Sequence, residues 1–252
     1  MEEIVRASGI VKSFGSKNRR TTVLDGVDVT IGRGEFVAVM GPSGSGKTTL
    51  MFALSGMDAV DQGIVVFDGQ DLSAMKERDL ADLRRKKMGF VFQQPTLLRN
   101  LDLLDNVILP AHRDAGRQTK ALEERGRDLM ARMGLDGLES RSISEASGGQ
   151  LQRVGICRAL MGEPQIIFGD EPTGALNSKA SEEIMDILVD INRSAVTVLL
   201  VTHDAKVAAR ASRVLFMRDG TIADELELPR TAVSCPEARL ELLSQKMRDI
   251  GI

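Results

Sequence analysis

The run Phe36-Val37-Ala38-Val39-Met40 leads directly into Gly41-Pro42-Ser43-Gly44-Ser45-Gly46-Lys47-Thr48-Thr49, and this junction constrains the fold more than any other stretch. Consecutive apolar residues ending at a glycine-rich turn read as a buried strand. Leu50, Met51, Ala53 and Leu54 then supply one face of a helix. Residues 41–48 fit G-x-x-x-x-G-K-[ST]. In that pattern the glycines let backbone N–H groups turn inward on phosphate oxygens, and the following helix adds the positive end of its dipole. Gly41, Ser43, Gly44, Gly46 and Thr49 are the candidate cradle. Lys47 is placed to reach β- and γ-phosphates, and Thr48 to hold Mg²⁺. The bare pattern arises by chance in on the order of one chain in a hundred, and a preceding buried strand lowers that further.

Val27, Val29 and Ile31 alternate with polar residues as a half-buried strand, and further short strands are expected at 64–67, 88–92, 165–168, 196–202 and 214–217. Charged helical stretches lie between them. This alternation predicts an α/β protein with a mainly parallel central sheet. From Asp102 to about Met161 the strand signals vanish, and Leu122, Leu129 and Met133 share a helical face, so a helical subdomain is expected inside the α/β core. Arg218-Asp219-Gly220-Thr221 reads as a hairpin turn. Leu240, Leu243, Met247 and Ile250 stand at helical spacing in the tail. The expected organisation is a single domain with an α/β core of residues 1–94 and 162–228, a helical subdomain of 95–161 and a helical tail of 229–252.

A phosphate loop needs an acidic partner at the end of a neighbouring apolar strand, where its carboxylate can emerge beside the loop. Ile166-Ile167-Phe168-Gly169-Asp170-Glu171 supplies one. Asp170 is expected to bind Mg²⁺, directly or through water, and Glu171 to orient or deprotonate the attacking water. Gln93 and His203 also close apolar strands. Parallel strands deliver their carboxyl ends to a common edge, so both are candidates for the phosphate site. Taken alone, either reads as a cap or a surface residue.

The bulk properties exclude other classes. Lys and Arg total 33 against 36 Asp and Glu, a net charge of −3, so no general attraction to nucleic acid or anionic lipid is written in. Two cysteines, Cys157 and Cys235, and two histidines are too few for a disulfide framework or a zinc cluster, which favours a reducing compartment. No apolar stretch approaches the ~20 residues that span a bilayer, so no direct membrane insertion is expected. With no Trp or Tyr, aromatic stacking falls to the eight phenylalanines or a histidine.

One stretch remains, Ser144-Glu145-Ala146-Ser147-Gly148-Gly149-Gln150-Leu151-Gln152-Arg153, a second glycine-rich turn without a lysine. Taken in order, residues 41–48, Gln93, Ser147-Gly148-Gly149-Gln150, Asp170-Glu171 and His203 resemble the Walker A, Q-loop, signature, Walker B and switch histidine of ATP-binding cassette (ABC) ATPases. The resemblance covers about residues 4–225. It implies a P-loop NTPase fold with an N-terminal antiparallel β part. It also implies ATP and Mg²⁺ as ligands, with Thr48, Gln93 and Asp170 around the metal and Glu171, His203 and Gln93 around the reacting phosphate. Two cassettes would pack head to tail, so that Ser147, Gly148, Gly149 and Gln150 of one complete the site of the other. Phe14 stands where the family has an aromatic on adenine; core packing is its other reading.

Within the family the motifs look like the bacterial branch of macrolide and lipoprotein exporters, cell-division ATPases and bacitracin-type resistance ATPases. The stretch Pro172 to Lys179 is most similar to the last, with Asn177 where an aspartate is usual. This implies a separate permease, contacted near Pro95 to Asn106, and a position at the inner face of the cell membrane. Export of antimicrobial peptides or lipid-linked substrates is the expected task, and a mechanical complex regulating envelope enzymes is the alternative. Ala146 departs from the leucine usual before the signature serine.

Overall fold

The computed structural model describes residues 2–16, 19–115, 119–228 and 236–251. In chain order the first elements are β1 (Glu3–Ser16), β2 (Arg19–Gly32), β3 (Phe36–Met40), α1 (Lys47–Leu54), β4 (Gln62–Phe67), β5 (Gln70–Asp71), α2 (Glu77–Lys87) and β6 (Met88–Phe92). The helical stretch follows as α3 (Leu103–Ala115), α4 (Thr119–Arg132) and α5 (Gly148–Leu160). Then come β7 (Ile166–Asp170), α6 (Ser178–Arg193), β8 (Thr197–Val201), α7 (Ala205–Ala208), β9 (Arg213–Arg218), β10 (Thr221–Glu227) and α8 (Pro236–Asp249). Two compact units result, one of residues 1–80 and 197–252, the other of residues 81–196. Among the described residues no helix is long and apolar enough to cross a membrane.

In the first unit β2, β1, β4 and β5 form an antiparallel sheet in that order. A second layer is built on β3, which pairs in parallel with β8 on one side and β9 on the other. Every residue of β3 and β8 is buried. That accounts for their unbroken apolar sequence, since a parallel strand covered on both faces has no solvent side on which to alternate. β9 turns back antiparallel into β10 through Asp219 and Gly220, both at positive φ (48° and 81°), the geometry of a tight hairpin.

The tail helix α8 lies on this same unit. Leu243 is fully buried, Lys246 pairs with Asp224 at 2.5 Å, and Arg218 Nη1 donates to the Ile250 carbonyl oxygen at 3.1 Å. Arg239 is buried and gives a guanidinium N–H to the Ala211 carbonyl oxygen.

In the second unit β6 and β7 are parallel and in register from Met88↔Ile166 to Phe92↔Asp170. Their phenylalanines stack, with Phe90 5.6 Å from Phe168. Helices α3, α4 and α5 enclose an apolar core that includes Leu103, Val107, Met130, Val154 and Cys157. Gly126 permits the close approach of α4 to α3, because a Cβ there would meet Leu104 and Ile108 side-chain carbons at 2.8 Å. Burial pushes the Cys157 thiol up to about 12, which keeps it a protonated and unreactive part of the core.

Asn106 organises the segment leading into α3. It is fully buried; its Oδ1 accepts from Leu98 N at 2.7 Å, and its Nδ2 lies within 3.3 Å of the carbonyl oxygens of Leu98, Leu101 and Asp102. Truncation would strand several of these backbone groups. Asn106→Ala is therefore expected to destabilise the chain by about 3 kcal/mol, read from the midpoint of urea unfolding at constant m-value.

Candidate active site

The first unit holds the glycine loop, His203 and Phe14. Val39 pairs with Val201, and Thr202 N donates to the Val39 carbonyl oxygen at 3.1 Å. The loop after β3 and His203 after β8 therefore leave from the same carboxyl edge. His203 is exposed, just ahead of Asp204, whose side chain caps α7 by accepting from Lys206 N at 2.8 Å.

Gly41, Gly44 and Gly46 take φ values of 152°, 80° and 100°, backbone that an L side chain resists. Space is closed as well. A Cβ on Gly46 would stand 2.8 Å from the Val23 carbonyl oxygen, and one on Gly41 would collide with that of Met217. Helix α1 begins at Lys47 with no side-chain cap on Gly46 and no acidic residue in its first turn. The positive end of the α1 dipole therefore meets no carboxylate from its own first turn. Lys47 is 9% exposed and bonds back across the loop, Nζ to the carbonyl oxygens of Gly41 at 2.9 Å and Pro42 at 2.8 Å. Ser43 and Gly44 are exposed on the rim, while Thr48 and Thr49 are half-buried on α1.

Ser45 escaped the sequence reading because the motif leaves its position open. Its hydroxyl is buried without a hydrogen-bond partner, an unsatisfied group inside the phosphate loop. Phe14, by contrast, is not core: it is 44% exposed on β1, with the Lys12 ammonium 5.1 Å from its ring centroid.

The second unit holds the acid pair, Gln93 and the signature turn. Phe92 and Asp170 are register partners, so Gln93 and Glu171 both follow at the same edge. Glu171 has φ 47°, a left-handed conformation that is uncommon for a residue with a side chain and recurrent at functional sites. Its carbonyl oxygen accepts from Gly174 N at 2.9 Å, closing a turn. A Cβ on Gly174 would stand 2.8 Å from Gln93 Nε2 and 3.3 Å from Glu171 Oε2. Amide and carboxylate thus gather over one glycine.

Ser147 is the N-cap of α5 in a reciprocal capping box. Its Oγ accepts from Gln150 N at 3.3 Å, and Gln150 Oε1 accepts from Ser147 N at 2.8 Å. Gln150 thus uses its side chain to hold the turn. Beside the turn, a Cβ on Gly148 would lie 3.6 Å from Leu176 Cδ2 and one on Gly149 3.4 Å from Ala180 Cβ. Asn177 caps α6, accepting from Ala180 N at 2.9 Å. Ala146 packs, half-buried, against the helical core.

Gln152 also passed unnoticed in the sequence. It is 1% exposed and donates from Nε2 to the Phe92 carbonyl oxygen at 2.9 Å. Nearly two turns on, Arg158 donates to the Thr96 carbonyl oxygen at 2.7 Å. Two side chains of α5 therefore fasten the segment around Gln93. A glutamine in a helix looks solvent-facing until tertiary packing supplies its acceptor.

Comparison with known proteins agrees with this geometry. The ABC transporter family profile matches residues 24–174. The bacitracin export ATP-binding protein BceA of Halalkalibacterium halodurans is 40% identical over 224 residues, covering 88% of this chain and 88% of that protein. The macrolide export ATP-binding/permease protein MacB of Escherichia coli is 42% identical over 227 residues; the match spans 88% of this chain but 34% of MacB. Among solved structures, a dimeric post-hydrolysis state of the ATP-binding cassette MJ0796 bound to ADP and Pi superposes with a TM-score of 0.82 at 35% identity. That match covers 90% of this chain and 99% of the other. The α/β fold with its uncapped glycine loop is that of a P-loop NTPase, and the chain belongs to the ABC transporter family as an ATP-hydrolysing cassette.

Proposed function

We propose that this cassette powers a separate permease that exports or detaches antimicrobial peptides or lipid-linked substrates at the inner face of the bacterial cell membrane. The supporting observation is the match to BceA, an export ATP-binding protein, over 88% of both chains. The match to MacB gives macrolide-type export as a second reading. In either case residues 95–161 form the signature subdomain, and the segment from Pro95 to Asn106 faces the permease. An efflux assay in membranes, with and without a co-expressed candidate permease, tests the proposal. Loss of peptide resistance on deletion supports it, and ATPase activity indifferent to the permease overturns it.

In this reading the loop N–H groups and Lys47 bind the β- and γ-phosphates, with Gly41, Ser43, Gly44, Gly46 and Thr49 shaping the cradle. Phe14 stacks on the base. The oxygen donors of Thr48, Gln93 and Asp170 suit Mg²⁺, which keeps few protein ligands beside phosphate oxygens and water. Among the described residues no cluster of three or more His, Cys, Asp or Glu competes as a metal site. When bound, Mg²⁺ neutralises charge developing on the phosphates. Glu171 takes the proton of the attacking water, Gln93 orients that water, and His203 contacts the γ-phosphate.

The head-to-tail homodimer belongs to the same proposal. Ser147 accepts from its own helix through a lone pair, which leaves its O–H free to donate to a partner's γ-phosphate, alongside the N–H groups of Gly148 and Gly149. Gln150 holds this turn in shape. Ala146 gives the turn a smaller apolar footing than leucine. Ala146→Leu is expected to tighten ATP-dependent dimerisation about threefold, measured by analytical ultracentrifugation in a hydrolysis-deficient background; an unchanged constant makes the alanine neutral.

A further inference from the structure

Lys12 is not a loose surface cation. Its ammonium donates to the Ala59 carbonyl oxygen at 2.6 Å and stands 3.9 Å from Asp58 Oδ1, with the side chain 13% exposed. The same ammonium lies over the Phe14 ring. The hairpin end is tied to this loop a second time by Asp61, which accepts from Ser13 N at 2.7 Å and pairs with Arg20 at 2.7 Å. The loop therefore fixes the cation, and the cation fixes one face of an otherwise exposed ring.

We infer that Lys12 is a positioning residue for the nucleotide: anchored to Ala59 and Asp58, it holds the Phe14 ring from one face so that the other is set to stack on the purine base. An exposed phenylalanine must give up side-chain freedom when a base stacks on it, and that loss subtracts from affinity. A cation held over the ring by its own hydrogen bond restricts the ring beforehand. Phenylalanine has no hydroxyl through which a neighbour could orient it, so the ring face is the available handle. The inference rests on Phe14 as the base platform, and its test separates the two.

Dissociation constants for ATP and for magnesium tripolyphosphate, which lacks a base, are measured on the full chain by titration. The variants are Lys12→Met, Lys12→Arg, Phe14→Ala and the Lys12→Met/Phe14→Ala double. Lys12→Met is expected to weaken ATP about three- to fivefold and leave tripolyphosphate unaltered, while Lys12→Arg retains ATP affinity. In the Phe14→Ala background, Lys12→Met should add no further loss, because the group it acts through is gone. Additive losses, or an equal loss with tripolyphosphate, mean that Lys12 acts by bracing the loop and overturn the inference. If Phe14→Ala is costly and Lys12→Met is not, the positioning role falls while the base platform stands. If Phe14→Ala is itself silent, the base platform falls and the inference with it.

Discussion

Glu171→Gln is expected to lower steady-state ATP turnover by about a hundred- to a thousandfold while leaving the ATP dissociation constant within about twofold of the parent. The change removes a proton acceptor and almost nothing else. Glutamine matches glutamate in length, and its backbone tolerance of the left-handed turn at φ 47° is the same. Its amide still fits beside Gln93 over Gly174, where any added Cβ would meet both side chains. Binding draws on the glycine loop, which this substitution does not alter. ATP should therefore load and persist, and a stable ATP-bound dimer should accumulate in size-exclusion chromatography. An undiminished rate would remove Glu171 from the chemistry. A matching loss of affinity would make it a binding residue.

Lys47→Ala acts on the opposite half of the cycle. Charge-assisted hydrogen bonds to phosphate contribute about 1.5–3 kcal/mol, so the substitution should weaken ATP about 10- to 100-fold, measured with a fluorescent ATP analogue. Lys47 is already spanned across the loop by bonds to the Gly41 and Pro42 carbonyl oxygens. Its removal thus also takes away two hydrogen bonds that brace the loop. Thermal unfolding monitored by circular dichroism checks that α1 survives. The start of α1 does not depend on Lys47 as a cap, because Gly46 occupies the N-cap position.

Much of this was legible in the chain. The buried strand Phe36–Met40, the glycine loop and the start of α1 are local features, and each residue there reports its own environment. The strands ending at Asp170 and Val201 were equally plain, because a parallel strand covered on both faces has no polar positions to confuse the pattern. The first two strands were not. Only the end of β2 was visible, since β1 carries repeated register shifts against its partner, with Gly9 and Gly15 at positive φ. Irregular pairing of that kind destroys strict alternation.

Within the site, residue types were readable but conformations were not. Nothing in Asp170-Glu171-Pro172 announces a left-handed glutamate, and nothing in Leu151-Gln152-Arg153 distinguishes a buried amide from an exposed one. Gln152, Ser45 and Arg239 share this property: each is a polar group whose significance depends on a partner, or the lack of one, distant in sequence or hidden by the backbone. Lys12 is similar, its meaning set by Ala59.

The capping box of Ser147 sets two demands against each other. As the cap of α5 an aspartate would serve the helix as well as serine, accepting from the same Gln150 N–H and gaining from the helix dipole. Beside a partner's γ-phosphate its carboxylate would repel what the serine hydroxyl can donate to. Optimising α5 as an isolated helix would therefore damage the proposed composite site, a conflict between stability and activity confined to one side chain. Consensus helix design would miss it, because the free energy of folding has no knowledge of the second molecule.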